Sequence, residues 1–151
     1  MEEDLELLDY AIRICVAGSR SFHDPKLFDL FLRIFLSWIE KKQLPYAFIS
    51  GAAPRGADSM IIDWAKENNK PCFTRRADWK KYGKGAGFRR NAEMRKELTH
   101  LLVFWDGESK GTLEMIEKTA LREDVHISVI IVEPDANWAE YCKWRDRFQH
   151  H

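Results

Sequence analysis

The chain has 151 residues, 32% of them charged and 45% apolar, which excludes a disordered chain and predicts one soluble domain with its own core. Its 24 basic and 24 acidic residues cancel to a net charge of zero, which argues against a general nucleic-acid binder but leaves room for a locally basic pocket. No apolar run approaches the ~18–20 residues of a membrane span, and the acidic start MEEDLELLDY is the opposite of a signal peptide.

Residues 1–10 read as an acidic lead-in. Residues 12–17 (IRICVA) form the first predicted strand, followed by the loop Gly18-Ser19-Arg20-Ser21-Phe22. Asp24-Pro25 then supplies a capping acid and a proline suited to the first helical position, and the helix is expected to run to about Lys42. Ten of the thirteen residues from Leu27 to Ile39 are apolar, more than one buried stripe needs. Either this helix is deeply sandwiched or its surplus face meets another subunit.

Residues 46–50 (YAFIS) are the second strand, and Gly51-Ala52-Ala53-Pro54-Arg55-Gly56 the loop beyond it. The next helix, 57–68, places Met60, Ile61, Trp64 and Ala65 on one face, and residues 72–74 form a short third strand. The stretch 75–84 has no regular period and contains Trp79 and Tyr82; a further helix follows from about Gly85 to Leu98. Cys15, Cys72 and Cys142 are far apart with no CxxC pair. The first two fall in predicted strands and read as small core residues of a protein in a reducing compartment, the cytoplasm (the host's, if the chain is viral).

The chain is organised around residues 100–116. Leu101 to Trp105 form the unbroken apolar run of a strand covered on both faces. Asp106 to Gly111 supply turn chemistry, and Thr112 is expected to cap a helix with Glu114 in its first turn. Backbone N–H groups at such a start, beside Lys110 and a hydroxyl, suit an anion. A fifth strand over 126–132 and a last helix over 135–149 complete the chain. Strands alternating with helices at this spacing indicate a parallel α/β sheet.

All eight glycines (18, 51, 56, 83, 85, 87, 107 and 111) fall in predicted strand-to-helix connections and none in a return loop. In open α/β sheets ligands bind at the carboxyl ends of the strands. Ser19, Arg20, Ser50, Arg55, Asp58, Arg89, Arg90, Asn91, Ser109, Lys110, Thr112 and Glu114 gather in the same connections. Hydroxyls and cations with free N–H groups suit a phosphate or diphosphate, while Asp58, Asn91 and Glu114 suit ribose hydroxyls or a base edge. Asp58 and Glu114 have an alternative reading as acids that favour a helix start. Trp79 and either Phe104 or Trp105 stack on a base or pack in the core. There is no Walker A loop and no GxGxxG after the first strand.

GSRSF after the first strand, SGAAPRGAD after the second, the stretch ADWKKYGKGAGFRRNAEM, and FWDGESKGTLEMI together resemble the YspA/YpsA-related branch of the SLOG superfamily, over about residues 12–132. That superfamily also holds the lonely-guy (LOG) phosphoribohydrolases and DprA. The resemblance implies a Rossmann-like three-layer fold with a mainly parallel five-stranded sheet, forming a single domain, and a nucleotide or nucleotide-derived ligand. It implies that Gly18, Ser19 and Arg20 line one side of the site, and Gly51, Gly56 and Asp58 its floor. Arg90 and Asn91 would enter from the third helix, with Gly111 and Thr112 at the phosphate.

LOG enzymes use an arginine and a glutamate beside a PGGxGTxxE motif. Here only the GT part is present, and Met115 stands where the glutamate belongs. The leading expectation is therefore a sensor or sequestering protein for an ADP-ribose-type ligand, with a place in antiviral signalling. The alternatives are an N-glycosidase using Glu114 and Arg90, and a DprA-like single-strand binder, which the zero net charge disfavours. No cofactor and no metal are expected; the partners expected are the nucleotide-derived molecule and further copies of the chain, as a homodimer or larger.

Overall fold

The computed structural model describes residues 5–135. The predicted C-terminal helix, apart from Asp135, and Cys142 lie outside the described residues, as do residues 1–4.

The described chain runs β1 (Ile12–Gly18), α1 (Pro25–Glu40), β2 (Tyr46–Ser50), α2 (Ala57–Glu67), β3 (Cys72–Thr74), α3 (Trp79–Tyr82), α4 (Ala86–Glu97), β4 (His100–Trp105), α5 (Lys110–Thr119) and β5 (His126–Ile131). The strands form one sheet in the order β3-β2-β1-β4-β5, with every neighbour parallel. The expected three-layer, Rossmann-like α/β architecture is present, and its sheet is wholly parallel.

Side chains alternate between the two faces of a strand, and two apolar cores result. On one face Ile14, Val16, Phe48, Leu102 and Phe104 meet Phe28, Leu32, Leu36 and Ile39 of α1 and Ile61 and Ala65 of α2. On the other Cys15, Ala47, Ile49, Leu101 and Val103 meet Met94 of α4 and Met115 of α5. The central strands β1 and β4 are buried on both faces, which explains the unbroken apolar run in β4. Cys15 is fully buried, and burial raises its thiol pKa far above the ordinary value; Cys72 is partly buried against the first core.

Helix α1 begins as its sequence dictates, with Asp24 Oδ1 accepting from the Leu27 N–H at 3.1 Å and Pro25 at the first position. It is not deeply sandwiched. One stripe is buried, while Leu30, Ile34 and Trp38 form an exposed row. The aperiodic stretch after β3 contains structure that its length hides from periodicity. Asp78 caps the four-residue α3 by accepting from the Lys81 N–H at 3.1 Å, and a 3-10 turn, Gly83–Gly85, leads into α4.

The chain proceeds outward from β1 to β2 and β3, then crosses back to set β4 on the other side of β1. The connections leaving β1 and β4 therefore diverge to opposite faces, and a crevice opens between their carboxyl ends.

Candidate functional site

A cavity of about 430 Å³ occupies that crevice, within the range of small-molecule sites. Its rim begins with two connections tied to each other. The Ser19 N–H donates to the Phe104 carbonyl at 2.9 Å, and the Asp106 N–H donates to Ser19 Oγ at 3.0 Å. Ser21 Oγ donates to Asp106 Oδ2 at 2.6 Å. Beneath them Phe22 stacks on Phe104, with centroids 5.2 Å apart and planes 7° from parallel. Buried polar groups must find partners, and both serines find theirs at Asp106, in the connection after β4.

Several glycines allow close packing of these connections. A Cβ on Gly18 would collide with the Phe104 carbonyl oxygen. Gly56 has φ +82°, and a Cβ there would stand 2.5 Å from the Ser19 carbonyl oxygen. A Cβ on Gly51 would lie 2.8 Å from Asp58 Oδ2 and 3.0 Å from Arg90 Nε. By contrast, a Cβ on Gly85, Gly107 or Gly111 would meet nothing within 4 Å. Gly87 and Gly111 also lie within the first turns of α4 and α5 rather than in the loops before them.

Helix α4 supplies the opposite wall. Arg90 Nη1 donates to the Gly51 carbonyl at 3.0 Å, and Asn91 Nδ2 donates to the Gly111 carbonyl at 3.3 Å and to Glu114 Oε2 at 3.0 Å. Arg90 Nε is buried and has no partner among the described residues. On the floor, Asp58 Oδ2 accepts from the Ala53 N–H at 3.3 Å, and Ser50 Oγ donates to the Asp58 carbonyl at 2.6 Å. Burial pushes the Asp58 carboxyl up to about 6, against the opposing pull of Arg90, the Ala53 N–H, Arg20 and the Gly18 N–H.

The third wall is the start of α5, which differs from expectation. Asp106 Oδ1 accepts from the N–H groups of Glu108 at 2.9 Å and Ser109 at 2.8 Å. This folds the loop back, so the helix begins at Lys110 with Ser109 in the capping position. Thr112 is thus in the first turn, its hydroxyl 3.2 Å from Ser109 Oγ, and does not cap the helix. The first N–H groups of any helix lack intrahelical acceptors, and here they adjoin two hydroxyls. For Asp106, burial resists ionisation, but hydrogen bonds from Ser21 and from the Ser109 and Glu108 N–H groups outweigh it and hold the carboxyl below its ordinary value.

Of the residues expected at the site, Gly18, Arg20, Asp58, Trp79, Arg90, Asn91, Ser109, Gly111 and Thr112 come together on the cavity wall. The others do not. Ser19 and Ser50 are buried and used in tying loops; Gly51 and Gly56 lie behind the wall, where they make room for close packing. Arg55 reaches Asp135 at 3.4 Å, and Arg89 lies over the Tyr82 ring at 4.1 Å. Trp105 donates its indole N–H to the Ser109 carbonyl at 3.1 Å and packs against the second core. Lys110 is not a lining residue. Glu114 is also off the wall and lies beyond the first turn: Arg95 at 3.1 Å and Lys118 at 3.5 Å hold Oε1, while Asn91 holds Oε2.

The sequence reading omitted Ser21, Lys84, Phe88, Met94, Asp106 and Met115, all of which line the cavity. Met94 and Met115 were within reach of helical periodicity, since each lies three residues after a wall residue, Asn91 and Thr112. Ser21 and Asp106 carried no comparable signal, because their pairing spans 85 positions. Among the described residues no cluster of three or more His, Cys, Asp or Glu side chains could hold a metal ion, and no helix is long and apolar enough to cross a membrane.

An all-parallel β3-β2-β1-β4-β5 sheet with a cavity at the β1/β4 switch point defines a Rossmann-like α/β domain. A family model described as YAcAr, the YspA, cpYpsA-related SLOG family, matches residues 12–82, from the start of β1 to the end of α3. Over that segment the chain is similar to this family, in agreement with the GSRSF and SGAAPRGAD motifs; the FWDGESKGTLEMI motif lies beyond the matched residues. That similarity suggests nucleotide-related ligand binding or LOG-like chemistry. No curated protein and no solved structure matches the chain.

Proposed function

We propose that the cleft binds a phosphate-bearing nucleotide derivative of the ADP-ribose type and returns it intact, so that the protein acts as a sensor or a sequestering agent. The observation that carries this reading is that Arg20, Arg90 and Asn91 line one cavity with the first turn of α5, and that the cavity is sized for one nucleotide. The phosphate sits at Ser109, Gly111 and Thr112, where open space over Gly111 admits it. Binding without turnover is favoured because Glu114 has both carboxylate oxygens engaged and stands off the wall. Calorimetry with nucleoside 5′-phosphates and ADP-ribose, followed by mass spectrometry of the recovered ligand, tests it. A full panel without heat of binding would remove the proposal.

A second reading rests on Asp58. A buried carboxyl in a cleft, with its pKa pushed up to about 6, is suited to proton transfer. On this reading the protein is an N-glycosidase in which Asp58, not Glu114, activates water while Arg90 steadies the substrate. Release of free base from a nucleoside 5′-monophosphate, lost in Asp58→Asn and kept in Glu114→Gln, would establish it.

A further inference from the structure

The chain's neutrality conceals a segregation of charge. Residues 75–96 hold nine Lys and Arg against two Asp and Glu, a surplus of seven that the rest of the chain balances with acid. Three of the nine are engaged within the fold: Arg75 forks onto Glu97, Arg95 pairs with Glu114, and Arg90 donates to the Gly51 carbonyl. Lys80, Lys81, Lys84 and Arg89 are exposed along α3, the 3-10 turn and the start of α4, and Lys84 reaches the cavity wall.

Aromatic rings alternate with these cations. Trp79 is 51% exposed and Phe88 48%, and both line the mouth of the cavity. A Cβ on Gly87 would stand 3.5 Å from the Trp79 ring, at ordinary van der Waals contact, so that ring rests against α4. Tyr82 has the Arg89 guanidinium 4.1 Å from its ring centroid and the Lys81 ammonium at 5.1 Å. Large rings left in water beside unneutralised cations present what a base and its phosphate need, namely a stacking face and positive charge. The cavity itself is already sized for one nucleotide.

We propose that this lip is a second nucleotide subsite, continuous with the cleft, and that the ligand is a dinucleotide joined through its phosphates. One nucleotide occupies the cleft at α5. The phosphate bridge passes Lys84, and the second base stacks on Trp79 and Phe88, with Arg89 and Lys81 beside it. This inference rests on the nucleotide reading above and extends it.

Calorimetry with adenosine 5′-monophosphate, adenosine 5′-triphosphate and P1,P4-di(adenosine) tetraphosphate tests it. The expected result is that the dinucleotide binds at least about tenfold more tightly than either mononucleotide, the gain of one stacked base with its charge contacts. In Trp79→Ala, and separately in Lys81→Glu/Arg89→Glu, that preference falls below about threefold, with thermal unfolding showing each variant folded. Equal affinity for the triphosphate and the dinucleotide overturns the second subsite but leaves the first. A preference that survives in both variants overturns it as well, and so does displacement of the dinucleotide by a thymidine octamer at lower concentration. Absence of binding by all three nucleotides would remove the nucleotide reading itself, and this inference with it.

Discussion

Ser21 donates its hydroxyl to Asp106 at 2.6 Å, joining the connection after β1 to the connection after β4. The same carboxylate accepts two backbone N–H groups of its own loop through its other oxygen. One acidic side chain thereby fixes both rims of the cleft and the start of α5.

Loss of this contact is expected to loosen the rim. Ser21→Ala removes a hydrogen bond to a charged group, which costs about 1.5–3 kcal/mol and is read as a lower urea midpoint with an unchanged slope. Because the Asp106 carboxyl is held below its ordinary pKa, its contribution is present above the unfolded-state value and is lost as pH falls through the folded one. Urea midpoints of Asp106→Asn and the unaltered protein should therefore converge under acid conditions. Divergence there would show that Asp106 does not hold the rim by charge.

Asp58 and His100 should pull in opposite directions over one pH range. Asp58 is pushed up to about 6 from an ordinary 3.8, so the folded protein binds its proton more tightly and stability falls as pH rises between those values. The span of about two units corresponds to about 3 kcal/mol. Burial, then His126 and Lys42, lower His100 from 6.5 to about 4, so its effect is a gain of stability as pH rises from 4 to 6.5. Asp58→Asn should steepen the rise of stability with pH in this window, and His100→Gln should flatten or invert it. Identical pH profiles for the two variants would contradict both assignments.

Two glycines near the site should respond differently to the same substitution. Gly56→Ala combines φ +82° with a Cβ 2.5 Å from the Ser19 carbonyl, so a loss of at least about 1–3 kcal/mol is expected. Gly111→Ala meets open space in a helical first turn and should leave stability unchanged or raise it by up to about 1 kcal/mol. If phosphate binds at this helix start, the added methyl weakens nucleotide affinity without unfolding the protein. Thermal melts and calorimetry on the two variants separate packing from binding.

Glu114 joins α4 to α5 through Asn91 and Arg95, with Lys118 one turn on. Glu114→Ala should cost about 1–3 kcal/mol, because it leaves the Asn91 donor buried and the Arg95 donor largely buried with fewer acceptors. The outcome is a lower melting temperature, with nucleotide binding retained below it. Abolished turnover in a fully stable Glu114→Gln protein would instead place this residue in chemistry.

The sequence by itself determined the elements. Short apolar runs, period-3.6 patterns, proline after Asp24 and the glycine-bearing connections located all five strands and the long helices, because each signal is set by neighbours within a turn or a strand. It also pointed to the end of the sheet where the cavity lies, since glycines and polar side chains crowd the strand-to-helix connections. Tertiary structure alone decided which of those side chains face the cavity. Ser19, Ser50 and Gly56 look like ligand contacts in one dimension, yet they are absorbed in joining one loop to another. Asp106 draws the α5 start back by three residues, and Glu114 turns away to Arg95. A buried polar atom takes whichever partner the packed chain brings within about 3 Å, and at this cleft the partners come from loops more than eighty positions apart.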